Sequence, residues 1–272
     1  MTELALSPFS LDLMEQLGEY LVRRLVGEGG MGKVYEAEER LSKRRVALKV
    51  LHSELSKSEH ARRLFMNEMQ ILAHLEHPNV VRSLASIEVG GELVMVLEFL
   101  EGRTLRAVLG DRGRLPWAEA ITIVARIASA LDAAHGQTPP IIHRDLKPEN
   151  IFLAESAPGT GRFTIKLIDF GVARDLAEPE SAQADRLMGT VPYIAPEQVT
   201  GQSAGDERTD VYSLGVILFE LCAGSLPFDG PDTDEALLRR VDHPAPRLRE
   251  VAAPHVRARV PKELERIIER CL

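Results

Sequence analysis

Hydrophobic and polar positions in the first hundred residues follow two different periods. Tyr20 to Val26, Lys33 to Glu38 and Arg45 to Val50 mix β-branched and polar residues in short runs broken by a glycine-rich turn, which predicts three strands. Leu64, Phe65, Ile71, Leu72 and Leu75 then recur at helical spacing, and Pro78 closes that helix. Val80 to Ile87 and Glu92 to Phe99 read as two further strands around a Gly90-Gly91 turn. After Glu101-Gly102 the pattern turns helical. Pro116 opens a helix with Ile123, Val124, Ile127 and Leu131 on one face, ending near Gly136. Asp210 to Leu221 forms a second, buried helix, and Pro261 to Leu272 a third with the stripe Leu264, Ile267, Ile268, Cys271 and Leu272. A β-rich first third and a helical remainder predict an α+β chain of two lobes joined near Glu98 to Glu101. Ala154 to Gly161 reads as a turn insertion and Glu178 to Asp185 as a mobile loop. The leader from Met1 to Gly18 reads either as a short amphipathic helix, with Phe9, Leu13 and Leu17 on one side, or as a disordered segment.

Bulk properties narrow the class. A chain of 272 residues is long enough for a substantial core, and 44% hydrophobic with 27% charged residues is ordinary globular composition. A formal charge of -8 argues against a nucleic-acid partner, which calls for a basic stripe. Cys222 and Cys271 form no metal or redox spacing, so a reducing cytoplasm fits. No apolar run approaches the ~20 residues of a membrane span. Glu3 and Asp12 stand where a signal peptide would be basic.

The chemistry concentrates in His143-Arg144-Asp145-Leu146-Lys147-Pro148-Glu149-Asn150 and, shortly after, Asp169-Phe170-Gly171. Asp145 can accept a hydroxyl proton, Lys147 can steady a moving phosphate, and Asn150 and Asp169 can hold Mg²⁺. Together they supply the positioning and charge neutralisation on which phosphoryl transfer depends. Upstream, Gly27-Glu28-Gly29-Gly30-Met31-Gly32 matches G-x-G-x-x-G. A dinucleotide-binding turn would need a helix after the last glycine, but Lys33 to Glu38 alternates. A Walker A loop would need Ser or Thr after Lys33, where the chain has Val34. A hairpin lying over the phosphates of ATP, with Val34 two residues beyond the last glycine, and a plain glycine-rich hairpin both remain. Val46-Ala47-Leu48-Lys49 favours the former: a lysine ending an apolar strand calls for a ligand or a carboxylate. Glu68, on the helix that follows, would pair with it and aim it at the α- and β-phosphates.

With these segments, His77-Pro78-Asn79, Gly189-Thr190, Ala195-Pro196-Glu197 and Asp210-Val211-Tyr212-Ser213, the chain resembles the protein Ser/Thr kinases, most closely the eukaryotic-like kinases of bacteria. The resemblance covers about Tyr20 to Leu272. It implies a leader over residues 1–19, an N-lobe over 20–97, a hinge over 98–101 and a C-lobe over 102–272. It implies ATP and Mg²⁺, with Mn²⁺ as an alternative, and protein substrates. Ala47 and Val34 would roof the adenine and Phe152 would be its floor. Leu97 would be the gatekeeper, and Glu98 and Leu100 would offer backbone groups to the base. Asp145 would be the catalytic base and Lys147 the phosphate stabiliser, a lysine that argues for Ser/Thr specificity. Thr190 would bond near both, and Asp210 would anchor the catalytic loop.

Three features depart from the family pattern. Arg144 implies pairing with a loop phosphate, yet between Gly171 and Ala195 the only hydroxyls are Ser181, Thr190 and Tyr193. Either Ser181 is the switch or Asp185 supplies a permanent charge. Ser83 falls where the family places an apolar spine residue, unless a one-residue slip brings Leu84 there. The sequence stops before the family's last helix, as a fragment would, which would leave Glu197 without its arginine partner and the 264–272 stripe short of cover. A pseudokinase that binds nucleotide without catalysis is the main alternative. A small-molecule kinase is the other, opposed by the Gly189-Thr190 to Glu197 segment.

Overall fold

The computed structural model describes residues 16–156, 161–170, 191–200, 205–228, 240–251 and 260–272. They divide into two compact units, Met1–Met69 with Arg82–Leu100 and Gln70–Val81 with Glu101–Leu272.

The first unit is built on a six-stranded antiparallel sheet of order β1-β2-β3-β4-β6-β5: β1 (Gln16–Leu17), β2 (Tyr20–Glu28), β3 (Gly32–Glu39), β4 (Arg45–Leu51), β5 (Ser83–Val89) and β6 (Glu92–Glu98). Alternation assigns its faces. Residues opposite one another on antiparallel strands point the same way, and neighbours along a strand point oppositely. Tyr35 lies opposite Leu48, Leu48 opposite Val96 and Val50 opposite Val94; with Leu17, Tyr20, Ala37 and Val46 they form a closed apolar core. The other face carries Val34 opposite Lys49, Lys49 opposite Met95, and Ala47 opposite Leu97. α1 (Glu59–His74) buries Leu64, Phe65 and Met69.

The second unit holds a three-stranded sheet, β7 (Gly102–Thr104), β8 (Ile151–Glu155) and β9 (Phe163–Leu167), and the helices α2 (Leu105–Arg112), α3 (Trp117–His135), α4 (Pro196–Val199), α5 (Glu207–Ala223), α6 (Leu248–Val251) and α7 (Lys262–Cys271). Thr104 caps α2 by accepting from Ala107 N, and Asp206 caps α5 by accepting from Arg208 N. α5 is buried along almost its whole length. At Gly215 a Cβ would stand 2.5 Å from Cys271 Cβ, so glycine lets α7 lie against α5. Gly102, at φ 144, would put a Cβ 2.0 Å from Leu153 O, which fixes glycine where β7 meets β8.

Several expectations need correction. Gln16–Leu17 is a strand paired with β2 and Leu17 is in the core, so the leader's end belongs to the sheet; residues 1–15 lie outside the described residues. β5 begins at Ser83 because Val80 forms a separate bridge to Leu167. Ser83 lies opposite Leu97, on the Lys49 face, whereas Leu84, set in a bulge, packs on the core. Ser83, not Leu84, thus shares the sheet face of Lys49. α5 starts a turn before Asp210. On α7, Leu264 and Ile268 are buried but Ile267 is 53% exposed, so the stripe is narrower than its apolar residues suggest. Among the described residues no helix is long and apolar enough to cross a membrane.

Candidate active site

In the first unit, the glycine-rich segment is strand, turn, strand. Gly27 lies opposite Val34, and Gly29 N donates to Gly32 O at 2.9 Å across the turn. The four glycines differ in cause. At Gly32 a Cβ would stand 2.1 Å from Val50 O, so the fold itself requires glycine. At Gly27, Gly29 and Gly30 nothing lies within 4 Å of a Cβ, and none has a left-handed φ. Neither packing nor backbone strain demands glycine there. Three positions kept free of side chains fit a polyanion approaching the backbone closely. Val26, in the bulge just before Gly27, is an exposed apolar residue that sequence reasoning passed over.

Lys49 and Glu68 meet as a buried pair, Lys49 Nζ donating to Glu68 Oε1 at 2.7 Å and Oε2 at 2.9 Å. Val34, Ala47, Lys49 and Leu97 share one sheet face by register, so a flat base and its phosphates would meet apolar residues and a cation on the same side. At the end of β6, Glu98 N donates to Arg82 O, and Glu98 Oε1 accepts from Arg82 N. Leu100 follows, half-buried.

In the second unit the catalytic loop is cross-braced. Lys147 Nζ lies 2.9 Å from Asp145 Oδ2. Asn150 Nδ2 donates to Asp145 O at 2.9 Å and to Asp145 Oδ2 at 3.1 Å. That orientation turns the amide nitrogen to Asp145, so Asn150 Oδ1 is the atom that could accept a metal. Ile168 N donates to Asn150 O, tying the Asp169 segment to the loop. Asp169 is half-buried; Phe170 is buried with its ring 4.9 Å from that of His143. Phe152 is half-buried on β8, opposite Lys166 and Thr104.

Asp210, fully buried, holds the loop from beneath. Its Oδ2 accepts from His143 N and its Oδ1 from Arg144 N, each at 2.8 Å. Arg144 has φ 62, a strained conformation for a non-glycine residue that these bonds maintain. His135 Nε2 lies 2.7 Å from Asp210 Oδ2, and that hydrogen bond raises the histidine's pKa against burial. Arg144 Nε is buried without a hydrogen-bond partner among the described residues.

A second, partly buried network joins the loop to α2, α5 and the segment before α4. Arg106 donates to Glu149 at 2.7 Å, to Glu220 at 2.8 Å and to the Tyr193 hydroxyl, and Tyr193 in turn donates to Glu220 at 2.5 Å. Burial opposes the charge on Arg106, yet the bonds to Glu149 and Glu220 raise its pKa; burial and Glu220 raise that of Tyr193. Gln198 donates to Arg144 O at 3.3 Å and accepts from Ala195 N. Glu197 is not left unpaired: Thr209 Oγ1 donates to its Oε1 at 2.6 Å. Ser181, Thr190, Gly171 and Asp185 lie outside the described residues. His135, Arg106, Gln198 and Thr209 carried no sequence signal, since each acts through a partner distant in the chain.

The protein kinase domain matches residues 20–272, and the chain belongs to that family. Its members use ATP and a divalent metal and act on proteins. Among similar proteins, serine/threonine-protein kinase pkn2 of Myxococcus xanthus is 42% identical over 218 residues, 79% of this chain and 25% of that protein. PrkC of Bacillus subtilis is 34% identical over 251 residues, 92% of this chain and 37% of that one. PknD of Mycobacterium tuberculosis H37Rv is 35% identical over 253 residues, 93% and 36% respectively. The chain thus spans between 25% and 37% of the length of these relatives.

Proposed function

We propose that the chain transfers the γ-phosphate of Mg-ATP to serine and threonine hydroxyls of proteins, itself included, as a cytoplasmic signalling kinase. The observation that carries this reading is the fixed setting of Asp145 between the Lys147 ammonium and the Asn150 amide. Asp145 accepts the proton of the attacking hydroxyl as its oxygen bonds to the γ-phosphorus. The bond to the β–γ bridging oxygen breaks and ADP leaves. Lys147 lies beside Asp145, placed to neutralise charge on the group in transit. In the first unit, Lys49, braced by Glu68, holds the α- and β-phosphates. Backbone groups of Gly27, Glu28, Gly29, Gly30, Met31 and Gly32 receive the phosphates. Val34, Ala47, Leu97 and Phe152 contact the base, with backbone groups of Glu98 and Leu100. The oxygens of Asn150 and Asp169 would hold Mg²⁺, or Mn²⁺, which would screen the phosphate charges. Arg144 pairs with an anion, phosphorylated Ser181 or the carboxylate of Asp185 being its source.

The test is transfer of labelled γ-phosphate from Mg-ATP to the protein and to a basic protein substrate, beside Asp145→Asn. Label falling by about 10²- to 10⁴-fold in the variant supports the reading. Equal label in both, or a wild type that binds ATP without transferring it, overturns it. Full activity in Ser181→Ala would leave Asp185 as the charge.

A further inference from the structure

The glycine-rich turn is held by a residue that no motif includes. His52 follows β4 directly, three positions after Lys49. Its backbone N–H donates to Met31 O at 3.0 Å, and its ring Nε2 lies 2.8 Å from Gly29 O. Glu28 Oε1 stands 3.9 Å from the same ring nitrogen. The two groups named at Nε2 are oxygen acceptors, so that nitrogen carries hydrogen and donates to Gly29 O. One residue thus grips two carbonyls of a turn in which Gly27, Gly29 and Gly30 meet no packing.

We propose that His52 is a positioning residue that sets the phosphate-binding turn in register with Lys49. This rests on the reading of the turn as the ATP phosphate site. Because Lys49 and His52 leave the same strand, the turn and the lysine are fixed to one rigid element. Without the ring bond the turn loses its side-chain tether while the base-contacting face is untouched. His52 acts on phosphate affinity and alignment, not on the base and not on Asp145.

His52→Phe keeps an aromatic ring but removes the donor, and His52→Gln returns an amide nitrogen near the place of Nε2. Affinities for Mg-ATP and for adenosine are measured on each, with backbone hydrogen exchange over residues 27–33. The expected result is Mg-ATP binding weakened about three- to tenfold in His52→Phe, as loss of one hydrogen bond implies. Adenosine affinity stays unchanged, exchange in the turn speeds up, and His52→Gln recovers most of both. His52→Phe with wild-type Mg-ATP affinity and turn exchange would overturn the role of His52 alone. A wild type that gains no affinity from the phosphates over adenosine would instead overturn the reading of the site. Should His52→Phe lose adenosine binding too, its fold is damaged and His52→Ala is judged by the same readouts.

Discussion

The glycine-rich turn and the 143–150 loop, assigned above to one proposed chemistry, are built in opposite ways. Around Gly27, Gly29 and Gly30 the space a side chain would fill is empty, and the turn is held by bonds within itself and to His52. Around Asp145 the loop is tied through His143, Asn150, Lys147, Gln198 and the buried Asp210. On the proposed function, the segment assigned to fold over a ligand is left unfilled, whereas the groups assigned to meet a reacting atom rest on buried supports that need no reorganisation.

The sharpest way to break the contrast is Asp210→Ala, which strands two backbone donors and releases the strained Arg144. Destabilisation of about 3–5 kcal/mol in denaturant is expected, with transferase activity falling alongside. A loss below about 1 kcal/mol would show the bracing to be redundant. The glycines give a smaller and more discriminating effect. Gly32→Ala meets Val50 O and should cost about 1–3 kcal/mol, whereas Gly30→Ala should leave the melting temperature unchanged and weaken only Mg-ATP binding. Equal melting shifts would erase the distinction between the two kinds of glycine.

The smallest effect is read by pH. The Asp210 hydrogen bond raises the pKa of His135 above the ordinary histidine value of 6.5, so the stability it contributes is present below that value and lost as pH rises through the raised one. His77, whose pKa is lowered by burial and by Lys166, acts oppositely: its contribution holds above 6.5 and is lost as pH falls through the lowered value. The gap in denaturation midpoint between wild type and His135→Gln should therefore be wider at about pH 6 than at about pH 8.5. A gap that does not change with pH would remove His135 from the bracing.

What was legible followed from local period and motif spacing. The strands β2, β3, β4 and β6, the helices α1, α3 and α5, and the placing of Lys49 beside Glu68 were readable, because alternation and a charge in an apolar run are visible within a few residues. What escaped depends on partners far along the chain. Leu17 looks like one side of a helix until β2 offers it a strand to pair with. β7 and α2 are short and take their place from β8 and Thr104. Glu197 seemed partnerless because the expected partner was an arginine, and Thr209, twelve residues on, is an unremarkable threonine until α5 forms. His52 has no pattern at all, since its role exists only once the turn folds back toward the end of β4.

The two-faced register of β4 limits how this chain can change over generations. Replacing one residue of the strand alters one contact. Deleting one between Arg45 and Lys49 would swing Lys49 into the company of Tyr35 and Val96, inserting one would set it opposite Lys33 and Val94, and either would push an aliphatic side chain toward Glu68. Divergence in this strand must therefore proceed by exchange of letters at constant length, and changes in length belong to the connections beyond its ends.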